Sequence, residues 1–135
     1  MKIDTVSQPV GLLRFEGGWR CAARATLAYD RREPYEVRVM FPPGLESLDL
    51  VLARELLADG LTGAATFGGM RTWQADGDLC IGWTGPDGEA RLEVPAALVA
   101  GFLAVTYCLV PAGSEPPRAD TDSVIAALLA EGGAR

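Results

Sequence analysis

Residues 70–94 read MRTWQADGDLCIGWTGPDGEARLEV, and this stretch decides the fold. Asp76-Gly77 is a turn of the kind that closes two-residue β-hairpins, and Pro86-Asp87-Gly88 turns the chain again. Between the turns, apolar and polar residues alternate with the period of a half-buried strand. The stretch therefore predicts an antiparallel meander over Met70–Ala75, Asp78–Thr84 and Glu89–Val94.

The same alternation continues toward the N-terminus. Apolar residues occupy the odd positions of Trp19–Tyr29, and Tyr35–Phe41 repeats the pattern. Gly17-Gly18 predicts a turn that joins Trp19–Tyr29 to a weaker strand near Val10–Phe15. A further short strand is predicted over Leu48–Leu52. These segments extend the meander into a larger antiparallel sheet.

Three helices interrupt or follow the strands. The period changes at Ala53 to that of a two-turn helix, which Gly60 is expected to end in the left-handed conformation. Thr62–Gly69 is then predicted to be a glycine-rich loop. A helix without any charged residue is predicted over Ala96–Val110, and Asp120–Asp122 would cap a third helix.

The chain has 135 residues, of which 49% are hydrophobic and 22% charged, as expected of one globular domain. The fold class is therefore predicted to be α+β, a single domain over residues 1–135. It would contain about seven antiparallel strands, a short internal helix and two C-terminal helices.

Catalytic and metal-binding chemistry has little support in the composition. The chain contains no histidine, which removes the commonest general base and metal ligand. Cys21, Cys80 and Cys108 are far apart and stand among apolar residues, so they are expected in the core of a protein from a reducing cytoplasm. No apolar run typical of a signal peptide follows Met1. We predict a cytoplasmic protein that is not an enzyme and has no cofactor or metal.

The net charge of −6 disfavours binding to nucleic acid, because neutralisation of phosphates supplies most of that affinity. The first strands are nevertheless rich in arginine. Alternation places Arg20, Arg24 and Arg38 on an outer sheet face, and Arg31 and Arg32 lie in the adjoining turn. A surface for single-stranded nucleic acid on these arginines is therefore the alternative function.

The uncharged helix raises the question of a membrane span. Pro95 and Pro111 bracket fifteen residues, and a helix of that length covers roughly 22 Å of a hydrocarbon core about 30 Å thick. We instead expect a helix buried on nearly every side, either under the sheet or in a subunit interface. The second arrangement predicts a homo-oligomer with interface residues Phe102, Val105 and Leu109.

A protein-binding surface is predicted around the short helix. Phe67 lies in the glycine-rich loop, where an aromatic side chain is often a recognition anchor. The alternative is that Phe67 folds back onto the core. Arg54, Glu55 and Asp59 on the outer face of the helix would form a polar rim beside it.

Several segments of the chain resemble the SsgA-like sporulation and cell-division proteins of actinomycetes. The first joins Tyr29-Asp30 to Glu33-Pro34-Tyr35-Glu36-Val37, and the second is ARELLADGL at residues 53–61. GMRTW at residues 69–73 and PDGEA at residues 86–90 continue the series in the same order. The resemblance covers about Ala25–Leu129.

The resemblance implies a function and an assembly that composition alone does not. The implied function is a non-enzymatic adaptor that helps position the septation machinery, either the tubulin-like protein FtsZ or septal wall synthesis. Implied partners are FtsZ and another SsgA-like protein, at the division septum during sporulation. The implied fold is a trimer of domains resembling the whirly-type binders of single-stranded nucleic acid, a relation that does not carry function by itself.

Overall fold

The structure, a computed structural model, describes residues 3–42, 49–86 and 88–115. These ranges form eight strands and two helices in chain order. They are β1 (Thr5–Glu16), β2 (Trp19–Asp30), β3 (Glu36–Met40), β4 (Leu50–Ala53), α1 (Arg54–Thr62), β5 (Ala65–Phe67), β6 (Met70–Ala75), β7 (Asp78–Gly85), β8 (Gly88–Pro95) and α2 (Ala96–Leu109). The predicted third helix lies outside the described residues.

The eight strands form one antiparallel sheet in the order β4-β3-β2-β1-β8-β7-β6-β5. Every neighbouring pair is consecutive in the chain except β1 and β8, which meet in the middle of the sheet. The predicted meander is confirmed as β6, β7 and β8, and Asp76-Gly77 forms its first turn with both φ angles positive.

The sheet contains one strand more than the seven expected. The additional strand, β5, pairs with β6 inside the segment predicted to be a loop. It has only 3 residues, which is too short for an alternating pattern to be recognised. Its pairing is set instead by the turn at Gly68-Gly69, where both φ angles are positive.

Buried side chains of the strands and both helices form one hydrophobic core. Alternation places Leu27 and Tyr29 of β2 on the inner face of the sheet, where both are buried. Helix α1 contacts β6, and α2 contacts β1, β7 and β8. The helices therefore pack on the inner face, and the opposite face of the sheet is the outer face.

Gly60 does not end α1 in the left-handed conformation, as the sequence had suggested. It lies inside the helix and is buried, and α1 continues to Thr62. A Cβ atom at Gly60 would lie 2.6 Å from Thr72 Cβ and 3.0 Å from Leu79 Cδ1. Glycine is required here because α1 approaches the sheet closely, not because the backbone turns.

Helix α2 matches the predicted uncharged helix within one residue of its end, but the expected burial on nearly every side is wrong for the single chain. One face is buried, while Leu98 and Val105 on another face are 40% and 47% exposed. No helix within the described ranges is long and apolar enough to cross a membrane.

Only one cysteine lies in the core, contrary to the expectation for all three. Cys80 is buried, whereas Cys21 and Cys108 are exposed. Both exposed cysteines belong to elements that extend beyond the covered part of the core, the hairpin end of β2 and the outward side of α2. Apolar neighbours in sequence do not reveal which part of an element is covered.

Candidate interaction site

Arg54, the first residue of α1, is among the most buried residues of the protein. It is 1% exposed, so the expectation that it lies on the outer face of the helix is wrong. Its backbone N–H donates to the carbonyl oxygen of Tyr35 at 2.8 Å. The start of α1 is thereby fixed to the chain just before β3, and the Arg54 side chain is directed inward.

The Arg54 guanidinium joins α1 to the end of α2. Nη1 donates to the carbonyl oxygens of Thr106 at 3.1 Å and Val110 at 2.8 Å. The last turn of a helix leaves carbonyl groups without helical partners, and a cation there also interacts favourably with the helix dipole. Arg54 therefore caps α2 from a distant part of the sequence.

The remaining guanidinium contacts are charged and aromatic. Nη2 lies 2.9 Å from a carboxylate oxygen of Glu115, the last described residue. The guanidinium carbon lies 4.0 Å from the ring centroid of Tyr107 and 5.1 Å from that of Tyr29. The positive charge of Arg54 is thus surrounded by a carboxylate, carbonyls and ring faces, which offset the cost of burying it.

This cluster changes the acidity of its members. Burial raises the pKa of the Tyr29 and Tyr107 hydroxyls, and the nearby charge of Arg54 only partly offsets it. Partial burial also acts to raise the pKa of Glu115. Hydrogen bonds from the backbone N–H groups of Glu115 and Gly113 and from Arg54 outweigh that effect, so the pKa of Glu115 lies below its ordinary value.

A groove of about 680 Å³ runs between α1, β5 and the segment after α2. All four residues predicted to form a protein-binding surface line it: Arg54, Glu55, Asp59 and Phe67. Glu55 and Asp59 are exposed, and Glu115 adds a third carboxylate to the lining. With Arg54 as the single cation among them, these four charged groups leave the groove negative.

Phe67 combines the two arrangements considered from the sequence. Its ring packs against the hydrophobic core, yet the residue is only half-buried and lines the groove. It belongs to β5, opposite Met70, and is not the tip of a flexible loop. Strand pairing therefore holds the backbone of Phe67, and its side chain forms part of the wall of the groove.

The predicted oligomer-interface residues are in three different environments. Phe102 is 3% exposed and belongs to the core of the single chain, so its expected place in an interface is wrong. Leu109 is half-buried, and its carbonyl oxygen accepts a hydrogen bond from Arg31. Val105 is exposed, beside the exposed Leu98.

The five arginines of the alternative nucleic-acid surface are likewise divided. Arg31 is half-buried beneath the end of α2. Arg32 forms a two-point contact with Asp30, whose pKa it lowers, and Arg38 lies 3.4 Å from Glu33. Arg20 and Arg24 are exposed, and neither pairs with a carboxylate in the described ranges.

Glu115 and Tyr107 were not anticipated from the sequence. Glu115 follows a connector rich in proline and glycine, where no periodicity marks it, and Tyr107 lies in an otherwise small and apolar helix. The only local signal was an arginine immediately after an apolar strand, at position 54. Its partners lie 52 to 61 positions away, so local patterns could not identify them.

The described residues contain no group of histidine, cysteine, aspartate or glutamate side chains that would hold a metal ion. Burial raises the pKa of the Cys80 thiol, which makes it a poorer nucleophile. The groove beside Arg54 is lined by charged and aromatic side chains. Such a surface is suited to recognition of another molecule.

Comparison with known proteins relates the chain to one family. Residues 23–115 match the family model described as Streptomyces sporulation and cell division protein, SsgA. The sporulation-specific cell division protein SsgB of Streptomyces coelicolor is 39% identical over 112 residues, 79% of this chain and 82% of that protein. SsgB of Frankia casuarinae is 33% identical over 132 residues, which cover 93% of this chain and 92% of the relative.

A solved structure agrees with these matches. The crystal structure of an SsgA-like sporulation-specific cell division protein from Thermobifida fusca superposes with a TM-score of 0.76 and 32% identity. The superposition covers 94% of this chain and 98% of that one. The family expected from the sequence segments is confirmed. The chain belongs to the SsgA family of sporulation and cell division proteins.

Proposed function

We propose that this protein is a non-enzymatic adaptor in sporulation septation of an actinomycete, and that it binds a protein partner through the groove beside α1. The observation that carries the proposal is the convergence of Phe67, Glu55 and Asp59 on one groove with the buried Arg54. Arg54, Glu55 and Asp59 belong to α1, whereas Phe67 belongs to the separate strand β5. Their meeting in one concave surface favours a binding role.

The construction of the groove supports binding without rearrangement. Arg54 fixes α1 to the end of α2 and to Glu115, so three segments that line the groove are held by one side chain. A surface that is already ordered loses little conformational entropy when a partner binds. The exposed carboxylates of Glu55 and Asp59 favour a partner with basic residues beside an apolar one that contacts Phe67.

The partners we propose are FtsZ and another SsgA-like protein, at the division septum. The names of the family and of its relatives support a role in sporulation cell division. An adaptor requires a surface for each partner and no reaction chemistry. The groove beside α1 can provide one such surface.

We further propose that the protein forms a homotrimer through the exposed side of α2. Leu98 and Val105 on this side are exposed in the single chain, and the helix contains no charged residue. An apolar helical face of this kind is typically covered in the functional assembly. Neither Leu98 nor Val105 lines the groove, so assembly and partner binding can be tested separately.

The experiment measures cosedimentation with FtsZ polymers and capture of an SsgA-like protein from the same organism. Glu55→Lys combined with Asp59→Lys should weaken binding to one of these partners by roughly tenfold or more, because both charges are reversed at the groove. The matched control reverses two exposed carboxylates outside the groove, Asp4→Lys with Asp49→Lys. A groove variant that is folded and binds both partners like the control would contradict the proposal.

A further inference from the structure

The β1–β2 hairpin extends well beyond its neighbour β3. Both hairpin strands have 12 residues, whereas β3 pairs only with Thr26, Leu27 and Ala28 of β2. Residues Trp19–Ala25 therefore pair with β1 on one side, and no strand of the described ranges pairs with them on the other. We call this stretch the β2 edge.

The hairpin geometry determines which backbone groups this edge presents. Glu16 and Trp19 flank the Gly17-Gly18 turn, in which both φ angles are positive. The pair that flanks a two-residue turn is hydrogen-bonded, and hydrogen-bonded pairs then recur at every second residue. Odd-numbered residues of β2 consequently bond to β1. The N–H and C=O groups of Arg20, Ala22 and Arg24 point to the β2 edge.

The pairing with β3 agrees with this assignment. Thr26 and Ala28 have the same parity as Arg20, Ala22 and Arg24, and they lie opposite Met40 and Arg38 of β3. The β2 edge is thus the direct continuation of a ladder that β3 occupies only in part. An additional extended segment could continue the ladder from the point at which β3 ends.

Side chains give the edge two different faces. Arg20 and Arg24 lie on the outer face, both exposed, and their side chains make no hydrogen bond or ion pair in the described ranges. They are roughly 13 Å apart along the strand. Asp78 and Glu93 share a shallow trough with Arg24, but they lie on the far side of β1. On the inner face, Trp19 is 44% exposed, Cys21 is exposed and Ala23 is half-buried.

The charges disfavour pairing of this edge with a second copy of itself. Two β2 edges paired antiparallel about Ala22 would place Arg20 of one copy opposite Arg24 of the other. Like charges directly opposite each other on one sheet face are destabilising. Exposed edge strands commonly carry charges that prevent such self-association. A segment with carboxylates at the positions facing Arg20 and Arg24 would satisfy the same charges.

We propose that the β2 edge binds an extended protein segment that alternates acidic and apolar residues, by adding it to the sheet as a strand. The acidic side chains lie on the outer face beside Arg20 and Arg24, and the apolar ones lie on the inner face beside Trp19 and Cys21. The backbone of the segment bonds to Arg20, Ala22 and Arg24. This surface is separate from the groove beside α1, so the proposal does not depend on the function proposed for that groove.

The probe is a fluorescein-labelled peptide of alternating glutamate and valine, roughly nine residues long so that it spans the edge. Fluorescence anisotropy should show saturable binding to the full chain. A peptide of alternating lysine and valine should not bind, and one of alternating glutamate and glycine should bind more weakly. Hydrogen exchange should show new protection of the backbone amides of Arg20, Ala22 and Arg24.

Two variants test the backbone and the charges separately. Ala22→Pro removes an N–H that points to the edge, and proline is tolerated where the strand has no partner. The variant should therefore remain folded and lose binding by roughly tenfold or more. Ala23→Pro is the opposite control, because it removes a bond to β1 and should destabilise the protein.

Arg20→Glu combined with Arg24→Glu should abolish binding of the acidic peptide. Arg32→Glu combined with Arg38→Glu changes the net charge by the same amount away from the β2 edge, because Arg32 lies in the turn after β2 and Arg38 lies on β3. This double variant should retain most of the binding. Equal loss in both double variants would overturn the proposal, since the attraction would then be nonspecific. Unchanged binding to Ala22→Pro would overturn it too. Protection of these three amides in the free protein would also overturn the proposal, because the β2 edge would then already be occupied.

Discussion

Nη1 of Arg54 lies 2.8 Å from the carbonyl oxygen of Val110, although the two residues are 56 positions apart in the chain. The contact joins the first residue of α1 to the residue that ends α2. Arg31 donates to the Leu109 carbonyl at the same helix end, but among the described side chains only Arg54 bonds to both Thr106 and Val110. This buried cation therefore helps to hold α1 against α2, and so to shape the groove, together with the packing of both helices in the core.

Replacement of Arg54 by methionine should therefore destabilise the protein strongly. The change keeps an apolar stem but removes the guanidinium that donates to the Val110 carbonyl, one of the two donors to the Thr106 carbonyl, and the cation that pairs with Glu115. Loss of one member of a buried charged network costs about 3–5 kcal/mol. The free energy of unfolding from urea titration measures the effect. Arg38→Met, which breaks an exposed ion pair, should cost less than about 1 kcal/mol.

A result in which Arg54→Met and Arg38→Met cost the same would contradict this role. The Arg54 variant should also lose binding at the groove, because the segments that line it are no longer held together. A variant at Arg54 that unfolds completely at room temperature is consistent with the expected magnitude. In that case, addition of a stabilising osmolyte allows the same titration to be measured.

Glu115 should make stability depend on acid pH. Its pKa is lowered in the folded protein relative to the ordinary value of 4.5. A carboxyl group of this kind stabilises the fold fully above its unfolded pKa, and the contribution is lost as pH falls through the folded pKa. Stability should therefore decline below about pH 4.5, and Glu115→Gln should remove this part of the decline.

The matched measurement compares Glu115→Gln with Glu89→Gln between pH 3 and pH 7. Glu89 is exposed, and its carboxylate lies 3.7 Å from Arg71 on the sheet surface. The Glu115 variant should be less stable than wild type at pH 7 by on the order of 1 kcal/mol, and the difference should shrink toward pH 3. If the difference in stability is constant over this range, the contribution of Glu115 does not depend on its charge, and the prediction is wrong.

Much of the sheet could be predicted from sequence because its signals are local. Alternation and turn residues placed β2, β3, β6, β7 and β8 close to their observed bounds. The uncharged run between two prolines likewise located α2. β5 was missed because a strand of 3 residues is defined by its pairing with β6 and not by its own composition.

The candidate site was predictable in its members but not in their roles. Phe67, Glu55 and Asp59 do line one groove, yet Arg54 was expected on the surface with them. Whether an arginine at the start of a helix points inward depends on what lies behind it. Here the end of α2 and Glu115 lie behind it, and these residues come more than fifty positions later. Local sequence cannot supply that information.

Gly60 provides a test of the close approach between α1 and β6. Alanine favours a helix over glycine by about 1 kcal/mol, so Gly60→Ala would stabilise an unhindered helix. At this position the added Cβ would lie 2.6 Å from Thr72 Cβ. Overpacking of this kind costs about 1–3 kcal/mol, and the hydrogen bond from Thr72 Oγ1 to the Leu56 carbonyl would also be disturbed. We therefore expect net destabilisation.

Gly101→Ala is the matched control for this change. Gly101 also lies within a helix, but an added Cβ would have no heavy atom within 4 Å in the described residues. This variant should be neutral or more stable than wild type by up to about 1 kcal/mol. Thermal unfolding of both variants decides the question. If both substitutions change the stability in the same direction, α1 can move away from the sheet.

Val105 tests whether the outward side of α2 is a subunit interface. The residue is 47% exposed in the single chain, so a lysine there can keep its charge in water and the fold should change in stability by less than about 1 kcal/mol. In an interface, the same charge would be buried without a partner at a cost of several kcal/mol. Val105→Lys should therefore yield a folded monomer, while Met40→Lys, on β3 and 36% exposed, leaves the assembly intact. Light scattering at tens of micromolar protein measures the mass. If wild type is monomeric, or if the Val105 variant assembles like the Met40 variant, this side of α2 is not the interface.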